Sequence, residues 1–341
     1  MKITKIEAVP TRIPFHTLVR ENMHENFRRE GANRTHYTPW VVRLSTDQGL
    51  VGLGEAPRDP REALAKVAGR SPSEFLHDDS LGGALIAIYD LVAQAAGIPV
   101  SRLFSASPRE KVQQIWWSHS LRPALLQAET RRGLALGYTV HKIKARPYED
   151  PVEQMAAVSE VVPRDYSVWL DANSSFKNHA RTLAVAEALR KYPFVKGFEE
   201  PIPSSDLAGY RALHQKLPVR LAVHWEKVDV RAFLLERLCD AFVVEDFLWG
   251  KAMLSKVGLT DYSHQTLWVE NGLYTGIGQV FQAHQAAAFP GFEYTISLTH
   301  IGEDDLVVEP FTMERGFYQV PSTPGLGVTL DEAALEKYRA A

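Results

Sequence analysis

Two rhythms of hydrophobic and polar residues divide this chain near Lys111. Beyond that point, short apolar runs alternate with longer stretches whose apolar residues recur at helical spacing. The short runs predict strands at Gln114 to Ser118, Thr139 to Ala145, Ser167 to Asp171, Gly197 to Glu200, Arg220 to Trp225, Ala241 to Asp246, Leu267 to Asn271 and Phe292 to Ile296. The longer stretches predict helices, among them Pro151 to Val162, Ala180 to Tyr192, Leu207 to Leu217 and Gly276 to Phe289. Strands alternating with helices in this number point to a parallel α/β barrel, with a doubly wound open sheet as the competitor. Gly276-Ile277-Gly278 lacks the third glycine of a dinucleotide-binding turn, and no other strand is followed by a phosphate loop.

Residues 1–110 read differently, as a mixed α+β unit. A strand runs from Ile3 to Pro10, and a hairpin joins Trp40 to Leu44 with Leu50 to Glu55. The apolar run Ala84 to Ala93 predicts a helix ended by Gly97-Ile98-Pro99. Between strand and hairpin lies a long polar segment, residues 16–36, read as a loop. It carries Arg20, Arg28, Arg29 and Arg34. A loop of that length is a lid or is disordered. Its arginines suit a lid that closes over an anionic substrate, with Arg20 as a contact.

The barrel strands end in polar residues that recur every 21 to 28 positions: Lys144, Asp171, Glu199, His224, Glu245 and Glu270. One strand, one helix and two loops take about that many residues in a barrel of about 250. Charged ends on apolar strands are costly unless they serve a site, and in a barrel they converge on one mouth. Lys142 and Lys144 share one strand face, where mutual repulsion and burial would lower their pKa values and fit one of them to take a proton from carbon. Asp171 and Glu199 supply two oxygens from adjacent strands, a set that suits Mg²⁺ or Mn²⁺. Such an ion would neutralise the second charge of an enolised carboxylate.

Composition narrows the setting. With 38 basic and 41 acidic side chains the net charge is −3, which argues against a nucleic-acid binder. No apolar run spans a bilayer and the N-terminus lacks a signal core, so neither membrane nor secretion is expected. The single cysteine, Cys239, excludes an intrachain disulfide, reads as a buried helix position and fits a reducing cytoplasm.

Lys142-Ile143-Lys144, Asp171-Ala172-Asn173, Phe198-Glu199-Glu200-Pro201, Asp304 to Pro310, Pro324 to Val328 and Gly54-Glu55-Ala56 together resemble the enolase superfamily, in its mandelate racemase and muconate-lactonising branch. The resemblance implies a modified (β/α)7β TIM-type barrel over residues 111–320, an N-terminal α+β capping domain over 1–110, and a segment 321–341 that returns to the cap. It also implies Mg²⁺, a small-molecule carboxylate substrate, a homo-oligomer, and a lysine base, with Lys144 preferred and Lys142 beside it. His224 stands where the family carries an acidic third metal ligand, with Glu226 as the alternative. Glu245 stands where lactonising relatives carry a lysine, and Glu270 where racemase-like relatives carry a histidine; both are candidate catalytic carboxylates here. Glu293 matches an acid that holds the substrate carboxylate, and His119 reaches the mouth from the first barrel strand. Dehydration of a hydroxylated acid such as a sugar acid is the expected reaction. Racemisation, epimerisation or cycloisomerisation is the alternative, and a non-catalytic barrel is the third reading.

Overall fold

The computed structural model describes residues 1–244, 250–270 and 275–340. Its N-terminal part is an antiparallel sheet of β1 (Ile3–Pro10), β4 (Trp40–Thr46) and β5 (Val51–Ala56), in the order β1-β4-β5. A short pair, β2 (Ile13–Pro14) and β3 (His36–Tyr37), lies beside it. The segment expected as a loop contains helix α1 (Arg20–Arg29), which buries Met23 and Asn26. Helix α2 (Arg61–Leu64) precedes α3 (Leu85–Ala96), the predicted apolar helix, which packs on β5. The approach is close: a Cβ at Gly54 would sit 2.8 Å from Ala87 N.

The barrel strands are β6 (Lys111–Ser118), β7 (Val140–Lys144), β8 (Ser167–Asp171), β9 (Val195–Glu199), β10 (Arg220–His224), β11 (Ala241–Val244), β12 (Thr266–Glu270) and β13 (Phe292–Ser297). They pair in parallel in chain order, and β13 pairs with β6 to close the ring, which removes the open-sheet alternative. Helices α4 (Pro123–Ala135), α5 (Pro151–Ser159), α6 (His179–Leu189), α7 (Leu207–Lys216), α8 (Val230–Glu236), α9 (Gly250–Ser263) and α10 (Gly276–Ala288) follow the first seven strands. After β13 the chain makes a short turn and adds β14 (Phe317–Gln319) antiparallel to β6, the (β/α)7β pattern. Cys239 is buried but lies past the end of α8 rather than within it.

Inside the barrel the Trp169 and Trp268 rings meet edge to face, with centroids 4.4 Å apart. A Cβ at Gly197 would lie 2.1 Å from the Trp169 ring, so only glycine leaves room for it. Truncating either tryptophan to alanine should cost about 3–5 kcal/mol. Below them, Arg220 and Glu293 close the floor.

Residues beyond 321 return to the N-terminal unit before and within α11 (Glu332–Tyr338). Buried Asp90 of α3 accepts from Leu53 N and from Leu326 N, both at 2.8 Å. Arg12 N donates to Tyr338 O at 2.7 Å, and Ala340 N to Pro10 O at 2.9 Å. Among the described residues no helix is long and apolar enough to cross a membrane.

Candidate active site

Parallel strands carry their last residues to one mouth, and β7 to β10 and β12 bring Lys142, Lys144, Asp171, Glu199, His224 and Glu270 together there. Lys142 is fully buried. Its Nζ lies 2.8 Å from Glu199, 3.1 Å from Glu270 and 3.4 Å from Asp171. Glu270 is three strands away round the closed ring, so that contact crosses the barrel interior. Burial alone would lower the Lys142 pKa, but Glu199, Glu270 and Asp171 outweigh it and hold the ammonium well above its ordinary range. This corrects the expectation that Lys142 is pushed toward neutrality: the carboxylates around it decide its charge, not Lys144.

Lys144 is paired with Asp171 Oδ2, and its Nζ donates to Asn173 Oδ1 at 2.9 Å. Burial pushes the Asp171 carboxyl up, but Lys144 and Lys142 together hold it below the usual range. Burial and then Asp171 push Glu199 up to about 7. His224 is nearly enclosed by acids. Its Nδ1 lies 3.1 Å from Glu200 and 3.5 Å from Glu199, and its Nε2 is 3.0 Å from Glu270. Burial works against the imidazolium, but Glu200, Glu270 and Glu199 raise it to about 10.

Glu199, His224 and Glu270 each offer one ligand atom, all within 4.8 Å of one another. That span fits a single ion. Glu199 Oε2 and Glu200 Oε1 are also buried, with Lys142 Nζ at 2.8 Å from the first and His224 Nδ1 at 3.1 Å from the second. The donors therefore fit a divalent cation, and one imidazole with carboxylates suits Mn²⁺ or Zn²⁺ at least as well as Mg²⁺. The expected ligand set was Asp171, Glu199 and His224. Glu199 and His224 stand in this group beside Glu270, and Asp171 lies next to it against Lys144 and Lys142. Glu226 pairs instead with Lys256, outside the cluster.

His119 is at the rim as expected. It is buried, its Nε2 lies 3.4 Å from Glu30, and the Phe27 ring meets it edge to face. Burial lowers its pKa, against the opposing pull of Glu30. Glu30 also accepts from Arg146 Nε at 2.6 Å, two residues past Lys144. Asn26 Nδ2 of α1 donates to Ser120 O at 2.9 Å. The 16–36 segment therefore lies against the mouth as a helix. Arg20 does not join these groups: it pairs with Glu303 and donates to Phe15 O.

Glu293 is the clear correction. It is the second residue of β13, at the opposite end of the barrel from the mouth. Arg220, the first residue of β10, holds it at 2.5 and 2.7 Å. Thr266 Oγ1 and Trp268 Nε1 donate to it as well. It is a floor residue, not a substrate contact. Glu245 lies outside the described residues. The sequence assigns no site role to Glu200, Asn173, Glu30 or Arg146, and only Glu200, the last residue of an expected strand, and Asn173, two past another, carry a signal.

The family model "Enolase C-terminal domain-like" matches residues 125–334. The chain is 24% identical to a D-gluconate dehydratase of Thermoproteus tenax over 88% of this chain and 69% of the relative. It is 25% identical to an arabinonate dehydratase of Saccharolobus solfataricus, over 76% of this chain and 72% of the relative. The solved N-succinyl Arg/Lys racemase of Bacillus cereus superposes with a TM-score of 0.80 at 18% identity, over 100% of this chain and 99% of that one. The family match over most of the barrel, on a fold shared from end to end, makes this chain a member of the enolase superfamily, in its mandelate racemase and muconate-lactonising branch.

Proposed function

We propose that this enzyme removes the α-proton of a small carboxylate and dehydrates it, with a polyhydroxy acid such as a sugar acid as substrate. The observation that carries the reading is the division of labour between two lysines on one strand. Lys142 is enclosed by three carboxylates, while Lys144 is part-exposed at the rim beside Asp171 and Asn173. The dehydratase names of the two sequence relatives support the outcome.

A divalent cation held by Glu199, His224 and Glu270 would supply the charge that makes an enolised carboxylate accessible. Lys144 Nζ, as the free amine, takes the α-proton, with Asp171 and Asn173 fixing its direction. Lys142 stays an ammonium and opposes the negative charge that develops. The proton on Lys144 then passes to the departing β-hydroxyl, which leaves as water. Helix α1 excludes solvent from the rim above His119. A cytoplasmic setting fits the single buried cysteine. An isomerase with Lys144 as its one base shares the first step, and product analysis separates the two.

The test is a screen of carboxylic acids in D₂O with Mn²⁺, read by mass spectrometry. Deuterium uptake with loss of water from a hydroxy acid is expected. No exchange or reaction with any acid would sink the reading.

A further inference from the structure

Glu200 and Asn173 follow the ends of adjacent barrel strands, and both have left-handed backbones, with φ 43° and 41°. Such conformations cost of order 1–3 kcal/mol and persist only where the surroundings impose them. At Glu200 the consequence is directional. Strand alternation would send its side chain to the face opposite Glu199. The left-handed turn brings it back to the same rim.

There the buried carboxylate bridges two parts of the site. Glu200 Oε1 lies 3.1 Å from His224 Nδ1. Its Oε2 accepts from Asn173 Nδ2 at 3.2 Å and from Lys227 Nζ at 3.0 Å. Asn173 in turn accepts from Lys144 Nζ at 2.9 Å. One acid therefore touches the strand-end histidine directly and the lysine through one side chain.

We infer that Glu200 is a positioning residue that sets His224 for metal binding and anchors Asn173 against Lys144. The inference rests on the reading of Glu199, His224 and Glu270 as the metal group. A carboxylate on the remote nitrogen of a ligating histidine fixes its tautomer and ring orientation. With Nδ1 held by Glu200, Nε2 is the nitrogen turned toward Glu270, 3.0 Å away. The left-handed backbone keeps Glu200 in reach, because the residue after an ordinary strand end would point elsewhere.

The experiment is Mn²⁺ titration by calorimetry of the whole chain and of Glu200→Ala, Glu200→Gln and His224→Ala, with thermal unfolding of each. ¹⁵N spectra of the histidines in the Zn²⁺-loaded protein, where the ligating ring is neutral and the ion diamagnetic, report the tautomer, with His224 assigned from its alanine variant. Glu200→Ala should weaken Mn²⁺ binding about 10–100-fold and change the His224 tautomer. Glu200→Gln, which keeps an acceptor oxygen, should recover part of the affinity. A purely structural role would lower the melting temperature and leave the affinity of the folded protein alone. If His224→Ala loses Mn²⁺ while both Glu200 variants bind within about twofold of the parent, the inference falls and the metal reading stands. If the parent takes up no Mn²⁺, both fall. Should Glu200→Ala not fold, Glu200→Gln decides: reduced affinity upholds the inference and unchanged affinity overturns it.

Discussion

The Glu55 carboxylate on the N-terminal sheet caps the barrel helix that starts beside Thr275. Thr275 N and Oγ1 donate to it at 2.6 Å, and Gly278 N at 3.0 Å. These are the first amides of α10, which would otherwise be orphaned in a buried place. These donors and the positive end of the helix dipole favour the ionised carboxylate, against its burial. Thr275 makes no capping bond with its own side chain, so the cap comes from a distant part of the chain.

Glu55→Ala should therefore destabilise the protein by about 1–3 kcal/mol for each stranded donor, read as a lower urea midpoint. Burial pushes Glu55 up to about 7 despite its donors, from an ordinary value of 4.5. The folded state thus holds a proton that the unfolded chain releases. The stability from this group is full below pH 4.5 and is lost as pH rises through about 7. Glu55→Gln should flatten that part of the stability–pH curve. An unchanged slope would refute the assignment.

His284 should give the opposite trend. Its Nε2 lies 2.9 Å from Leu326 O, and its Nδ1 accepts from Ser101 N at 3.3 Å. That geometry needs the neutral ring, and burial lowers the pKa from 6.5 to about 4. Stability from His284 is full above pH 6.5 and is lost as pH falls through about 4. Urea unfolding of His284→Gln from pH 7 down to 4 should show a shallower acid loss than the parent.

The two lysines should fail differently. Lys144→Ala should fold and lose α-proton exchange by about 10²–10⁴-fold. Adding Asp171→Ala should make it little worse, since the two act as a unit. Lys142→Met leaves three buried carboxylates without their cation and should cost about 3–5 kcal/mol of stability. Equal stability in the two lysine variants would contradict the structure.

The metal should declare its ligands in diffraction. Anomalous data from Mn²⁺-soaked crystals should place the ion against Glu199, His224 and Glu270. His224→Asp makes an all-oxygen set and should shift preference from Mn²⁺ or Zn²⁺ toward Mg²⁺. An ion bound between Asp171 and Glu226 would overturn the assignment.

The floor pair should be separable from catalysis. Glu293→Gln removes the charge that holds Arg220, Thr266 and Trp268. It should lower the melting temperature while leaving Mn²⁺ affinity and exchange kinetics as in the parent. A rise in KM without loss of stability would restore Glu293 to the substrate.

Much of this was legible in the chain. The barrel strands were readable because apolar runs ended in charge at a regular step, and Ser167–Asp171 was found to the residue. Helix α1 is not legible, because it is polar almost throughout and buries only Met23 and Asn26. Glu293 was misassigned because family resemblance outweighed position: the second residue of a parallel strand lies at the floor. Glu200 was passed over because alternation predicts that it points away from Glu199, and only a backbone angle reverses that. The charge of Lys142 depends on acids from β8, β9 and β12 that are far away in the sequence.

The return of residues 321–340 to the N-terminal unit has a consequence for synthesis. The strands β1, β4 and β5 and helix α3 leave the ribosome before the barrel. Yet Asp90, Arg12 and Pro10 find their partners at Leu326, Tyr338 and Ala340, which are made after the whole barrel. Until then Asp90 is a buried-type carboxylate with part of its shell missing. The nascent cap must wait, exposed and incompletely bonded, until the barrel has been translated. A pause or truncation between the barrel and residues 326–340 would therefore harm the N-terminal unit, and chaperone capture should concentrate there.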